Sequence, residues 1–377
     1  MPNAKIDAVE LTRQLVRFET VNPVNPEQGC VEYVGRLLAK NGFDISYHDF
    51  APGRTNLIAR IGGSDDRPPL CFTGHLDTVP LGQKEWSMPP FAAEISDGKI
   101  YGRGTSDMKS GVAAFVAAVI DIAAELADGP GVVLVITAGE ETGCEGAAYL
   151  AGLDGVLGKA GAIIVAEPTS NYPYVGHKGA LWITALTEGV TAHGSMPELG
   201  VNAIYKASRA ITKLEDFDFN IARHPVMGPP TLNVGTVDGG INVNSVPNRA
   251  EIGIDIRTIP GQDNDAILEH LSSYLGDDVT LAPVVNLEGV WTSPDDPWMQ
   301  SVFTLMETIL EQPIENKTAA YFTDASILTR AFDFVPTVVL GPGEAAMAHQ
   351  TDEFCHVSRI EQAVDIYRQL AAQWNKL

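Results

Sequence analysis

His75 and Asp77 stand in "GHLDTVP", at the end of an apolar run that reads as a buried strand. Carboxylates then recur at strand ends or in glycine-rich loops: Asp107 in "YGRGTSDMKSG", Glu140 and Glu141 in "VITAGEETG", and Glu167 in "IIVAEP". His349 follows in "GPGEAAMAHQTDE". A lone His-x-Asp is weak evidence, and a single strand-end acid is ordinarily a cap or a turn residue. Four such sites on successive runs point to one centre, because open α/β sheets gather functional groups at the carboxyl ends of their strands.

Two histidines and three carboxylates can hold two divalent ions, each with a histidine and a carboxylate of its own and a further carboxylate shared. Ions paired at roughly 3.5–4 Å lower the pKa of a water between them and polarise a carbonyl. Imidazole with carboxylate suits zinc, with cobalt or manganese as substitutes. Asp77, two residues past His75, is placed to accept the second ring proton of that ligand and fix its tautomer. Glu140 and Glu141 are adjacent at a strand end, so their side chains point in different directions. One can reach a metal while the other faces the water, takes a proton and returns it to a leaving amine. This is metal-assisted amide hydrolysis.

Such residues need a sheet to carry them. The first half of the chain alternates helices near 5–18 and 29–41 with strands near 43–49, 55–61 and 69–74, then a helix from about 109 and the runs "GVVLVITAG" and "AGAIIVAEP". Short Val/Ile-rich runs between helices indicate an α/β layered domain with both sheet faces covered. One more buried strand is expected in "FVPTVVLGPG" and a closing amphipathic helix in "SRIEQAVDIYRQLAAQWNKL". Between them the order changes to strand 180–188, helix 200–214, strands 231–237 and 247–257, helix 263–275 and strand 278–285. That β-α-β-β-α-β order is a ferredoxin-like split unit. We therefore expect a discontinuous catalytic domain, 1–177 and 290–377, interrupted by an inserted domain at 178–289.

Composition agrees with two domains: 377 residues exceed what one core usually organises, and 45% of them are hydrophobic. A formal charge of -23 with no Lys/Arg cluster speaks against nucleic acid and anionic membranes as partners. The amino terminus is charged every few residues and lacks the apolar core of a signal peptide. The apolar stretch 111–127 carries Asp121 and Glu125, is too short to span a bilayer, and reads as a buried helix. Cysteines at 30, 71, 144 and 355 form no C-x-x-C pair or disulfide-like spacing, which suits a reducing cytoplasm.

Taken in order, "GHLDTVP", "YGRGTSDMKSG", "TAGEETG", "AEPT", "VGHKGAL", "TAHGSMPELGVNAI", "GGINVNSVPNRAEIGIDIRTIPG" and "GPGEAAMAHQTDEF" resemble the motif set of a family of dinuclear zinc hydrolases. It is the acetylornithine deacetylase and succinyl-diaminopimelate desuccinylase family, which includes carboxypeptidase G-type enzymes and aminoacylases. The resemblance runs nearly end to end. It implies a zinc-peptidase-like domain with a mixed central sheet and two ions, one on His75, Asp107 and Glu167, the other on Asp107, Glu141 and His349. Asp107 would be the bridge, Glu140 the general base and Asp77 the orienting acid, with a cis peptide from Asp107 to Met108.

In the insert, the resemblance implies that His193 stabilises the developing oxyanion across a homodimer, and that Arg257 and Asn244 hold the α-carboxylate of an N-acyl amino acid. Without it, Arg257 reads equally as a surface ion pair and His193 as a loop histidine. His48, His177, His224, His270 and His356 are unassigned. The motifs around 239–261 and 341–354 look closer to acetylornithine deacetylases than to desuccinylases, with carboxypeptidase G-type or dipeptidase activity as a further branch. Tyr321–Asp324 sits where the family places a substrate-facing loop; Asp324 could meet a substrate ammonium or cap the helix after it. A dinuclear phosphoesterase would need a Gly-Asn-His-Glu/Asp loop, which is missing, and a non-catalytic binding module would be expected to lose a ligand or the base.

Overall fold

In the computed structural model, which describes residues 5–63 and 67–376, the chain divides into two units. Residues 1–4 of the charged amino-terminal stretch and Leu377 of the closing run lie outside the described residues. The first unit comprises residues up to Gly176, Thr292–Lys317 and the chain from Thr323 onward. The second comprises His177–Trp291 and Thr318–Phe322. Its boundaries therefore lie one to two residues outside 178–289, and it regains a five-residue segment that sequence reading placed in the catalytic domain.

The sheet of the first unit runs in the order Asp44–Ala51, Arg54–Ile61, Val132–Thr137, Leu70–His75, Ala162–Val165, Thr337–Val339 and Tyr174–His177. Val132–Thr137, Leu70–His75, Ala162–Val165 and Thr337–Val339 are parallel to one another, and the strands flanking them are antiparallel. The four parallel strands are buried along their whole length, so each appears in sequence as an unbroken apolar run. Their shared direction brings the segments that follow them to one edge. Beside the sheet, helix Ser110–Asp121 is buried at every position but the last. The helix expected over 111–127 is divided at Ile122, where the backbone leaves helical geometry before Ala123–Leu126. Helix Val357–Lys376 is anchored by Tyr367, whose hydroxyl donates to the Leu340 carbonyl at 2.6 Å while its ring meets the edge of Phe72.

The second unit has the antiparallel strand order Thr231–Gly239, Arg249–Arg257, Ala180–Glu188, Thr280–Leu287, with helices Ala203–Glu215 and Asn264–Leu275. This is the ferredoxin-like arrangement. Leu181, Ile183, Ile252, Ile254 and Ile256 alternate along their strands and pack with the helices' Ala207, Leu214 and Leu271. The other face carries Trp182, Asp255 and Arg257. Asn202 and Asp263 cap the two helices by accepting backbone N–H bonds. All four cysteines are free and buried. Among the described residues no helix is long and apolar enough to cross a membrane.

Candidate metal centre

His75 is the last residue of strand Leu70–His75; Glu140 and Glu141 follow Val132–Thr137, Glu167 follows Ala162–Val165, and His349 lies on the segment after Thr337–Val339. Asp107 enters from the short helical turn Thr105–Lys109, where the peptide bond to Met108 is cis. The parallel core thus delivers five of these six residues from the carboxyl ends of its strands.

Asp107 stands between the two histidines. Its Oδ1 lies 3.2 Å from His75 Nε2 and its Oδ2 lies 3.5 Å from His349 Nε2. Glu167 Oε1 is 3.6 Å from His75 Nε2, and Glu141 Oε2 is 3.1 Å from His349 Nε2. Glu140 turns to the His75 side, 4.0 Å from Nε2, so the adjacent glutamates diverge. Ligand atoms of His75, Asp107 and Glu141, and those of His75, Glu140 and Glu167, lie close enough within each trio to share an ion.

Asp77 does not act through the contact expected of it. His75 Nδ1 is 3.0 Å from the Asp77 main-chain carbonyl, whereas the nearest carboxylate oxygen is 3.6 Å away. A carbonyl only accepts, so Nδ1 is the donor and Nε2 is left free to bind a cation. The Asp77 carboxylate instead accepts the backbone N–H groups of Gly139, Glu140 and Glu141 at 2.9, 3.2 and 3.1 Å, and a bond from Asn22 Nδ2. Its physical effect is to set the backbone of the glutamate pair.

Burial disfavours a charged His75, yet Asp107, Glu167, Asp77 and Glu140 carry its pKa well above the usual imidazole range. Hydrogen bonds to Asp107 and Glu141 push His349 up to about 10. Burial likewise raises Glu140, Glu141 and Glu167, and neighbouring carboxylates add to each rise. Asp107 alone is held low: burial pushes it up, but the two histidines outweigh that. So many buried carboxylates, with Glu141 Oε1 lacking any hydrogen-bond partner, form a donor set that fits divalent cations.

Sequence reasoning misjudged one group here and missed another. Asp324 is buried and accepts from the Thr137 hydroxyl, and burial pushes it up to about 6. It is neither open to a substrate ammonium nor a helix cap, since Thr323 Oγ1 takes the Ala325 N–H at 3.1 Å instead. Glu353 is buried against the Asp107 turn; its only sequence signal was an acid four residues past His349.

In the second unit the structure brings His193 and Asn244 together: Gly194 N–H donates to the Asn244 carbonyl at 2.8 Å. His193 is exposed, with Nδ1 2.7 Å from Ser195 Oγ. Arg257 does form the surface ion pair weighed for it, with Nε 3.0 Å from Asp255 Oδ1, and Asp255 is also held by Trp182 Nε1. His177 is buried and burial lowers it to about 4, so it is a neutral core histidine.

The parallel sheet thus carries a donor set that could hold divalent cations, the kind of centre that hydrolases use to activate water. Residues 71–373 match the family described as Peptidase family M20/M25/M40, and the chain belongs to that family. It is 32% identical to a probable succinyl-diaminopimelate desuccinylase of Staphylococcus epidermidis, with 96% of each chain covered. It is also 32% identical to an acetylornithine deacetylase of Proteus mirabilis, covering 96% of this chain and 95% of that one. An M20 family metallo-carboxypeptidase from Sulfolobus solfataricus shares the fold with a TM-score of 0.83 at 18% identity, covering 99% of this chain and 100% of that one.

Proposed function

We propose that the protein is a cytoplasmic, dinuclear zinc-dependent amidohydrolase of N-acyl-L-amino acids, with acetylornithine deacetylase-like activity as the leading reading. The observation that carries the metal reading is Asp107, which turns one oxygen to His75 and the other to His349. His75, Asp107 and Glu167 would hold one ion, and Asp107, Glu141 and His349 the other. Bound divalent ions acidify water and polarise a carbonyl; zinc suits this donor set, with cobalt or manganese as substitutes. Glu140 accepts the proton of the attacking water and passes it to the departing amine. Asp77 holds Glu140 and Glu141 in place through their amides. Arg257 and Asn244 receive the α-carboxylate, and His193 donates to the developing oxyanion.

A homodimer through the second unit is supported by the edge strand Thr231–Gly239, which pairs on one side only among the described residues and bears exposed Val237. Beside it, Val237 and Ile204 line a groove of about 410 Å³ between this strand and helix Ala203–Glu215. An edge strand with an exposed valine beside an apolar groove can pair strand-to-strand with a second copy.

Desuccinylation is the second reading, favoured by the Staphylococcus epidermidis relative. A screen of the zinc- or cobalt-loaded protein against N-acetyl, N-succinyl and N-formyl amino acids and dipeptides separates them. Preference for N-acetylornithine supports the leading reading; preference for N-succinyl-diaminopimelate replaces it with the second. Cleavage confined to dipeptides or glutamate conjugates overturns both.

Asp255 engages Arg257 through Nε, and the guanidinium carbon lies 6.0 Å from the Trp182 ring centroid. A lysine cannot reproduce a planar, bidentate grip on a carboxylate. Arg257→Lys is therefore expected to lower kcat/KM for N-acyl amino acids by about tenfold or more, while hydrolysis of their α-amides changes little. Steady-state kinetics on paired acid and amide substrates check this. An unchanged acid-to-amide ratio removes Arg257 from the carboxylate site.

A further inference from the structure

Glu353 is fully buried, and both of its carboxylate oxygens are used on a single turn of chain. Oε2 accepts from Arg103 Nη1 at 2.7 Å and from Gly104 N–H at 2.9 Å. Oε1 accepts from Ser106 N–H at 2.8 Å and from Asp107 N–H at 3.0 Å. Arg103, itself buried, extends the linkage: Nη1 donates to the Gln350 carbonyl at 3.2 Å and Nη2 to the Pro80 carbonyl at 3.1 Å. The three segments joined in this way carry His75, Asp107 and His349.

The joint has no slack. Gly104 has φ +85°, in the left-handed region, and a Cβ there would fall 2.7 Å from Thr78 Cγ2. A Cβ on Gly343 would meet the Ser106 carbonyl at 2.0 Å. Ser106 Oγ donates to the Phe354 carbonyl at 2.6 Å and accepts from Glu344 N–H at 3.0 Å. By contrast, the His349 side chain is 54% exposed and lies on no strand, so its position depends on what anchors its segment.

We infer that the Arg103–Glu353 pair is a positioning clasp that fixes Asp107 and the His349 segment relative to each other before a metal arrives. The inference rests on the two-ion reading proposed above. His75 and Glu167 stand on or next to strand ends and need no such anchor. The ion assigned to Glu141 and His349 does. Glu353 touches neither substrate nor metal; it acts through the backbone of the ligand loop, as outer partners of metal ligands do.

Glu353→Gln keeps the size of the side chain but replaces one acceptor oxygen with a donor, which must face either Arg103 or a backbone N–H. Zinc is titrated into the metal-free variant and wild type in competition with a chromophoric chelator, and folding is followed by circular dichroism. In the folded variant one of the two zinc ions is expected to lose about 10- to 100-fold in affinity, with a smaller loss for the other. Two zinc ions bound with wild-type affinities, or equal losses at both sites, overturn the inference. If Glu353→Gln does not fold, Arg103→Lys decides: it keeps the charge opposite Glu353 but cannot reach Gln350 and Pro80 together, and the same selective loss is expected. Wild-type protein that takes up fewer than two zinc ions in this titration overturns the two-ion reading itself, whatever the variants do.

Discussion

Glu140→Ala is expected to bind two divalent ions with near wild-type affinity and yet to lose roughly 100- to 10,000-fold in kcat, the span of general acid–base catalysis. Glu140 is buried, faces His75 and Glu167 rather than His349, and accepts a hydrogen bond from the Cys144 thiol at 4.0 Å. Asp77 fixes its backbone but leaves its carboxylate free for a proton. Because His75, Glu140 and Glu167 also lie close enough to share an ion, metal content and kcat must be measured on the same preparation. Loss of one ion would make Glu140 a ligand, and near-normal kcat with both ions bound would remove it from the reaction.

The second large effect is expected at His193. Deleting an oxyanion donor costs about 100- to 1,000-fold in kcat, and His193→Ala should show that loss with its metal content intact. His193 belongs to the second unit and is exposed, and we propose that it serves the site of a partner copy. Mixing Glu140→Ala with His193→Ala under subunit exchange tests this. In trans, each mixed dimer has one site with both defects and one with neither, so random equimolar pairing should restore roughly a quarter of wild-type activity. Exchange confirmed by mass, with no activity regained, would confine His193 to its own chain.

Strand ends were the legible part of this protein. An apolar run that stops at His75, Glu140 or Glu167 announces the buried strand, and the recurrence of a polar group at tip after tip pointed to one centre. Helix 111–127 showed no clear stop: Asp121 does mark the break at Ile122, but a lone acid inside an apolar run reads equally as a single exposed helix position. The strands Glu94–Ser96, Lys99–Tyr101 and Phe354–His356 are too short to show alternation. Glu353 illustrates a deeper limit. Its partners lie about 250 residues earlier and are mostly backbone amides, which no side-chain motif can advertise. The same holds for Asp77, whose carboxylate is spent on three amides more than 60 residues downstream.

The four buried cysteines have a practical consequence. Burial pushes Cys30 up to about 11 and Cys355 up to about 12, and raises Cys71 and Cys144 as well. The thiolate is the nucleophile, so at neutral pH the native chain offers maleimides almost nothing to attack. It is its own blank for site-specific dye attachment. A single Val24→Cys on the first unit and a single Ser273→Cys on the second, both at exposed positions, would be the only reactive thiols, and no native cysteine need be removed. Fluorophores on that pair would read the distance between the two units in solution as zinc or substrate is added.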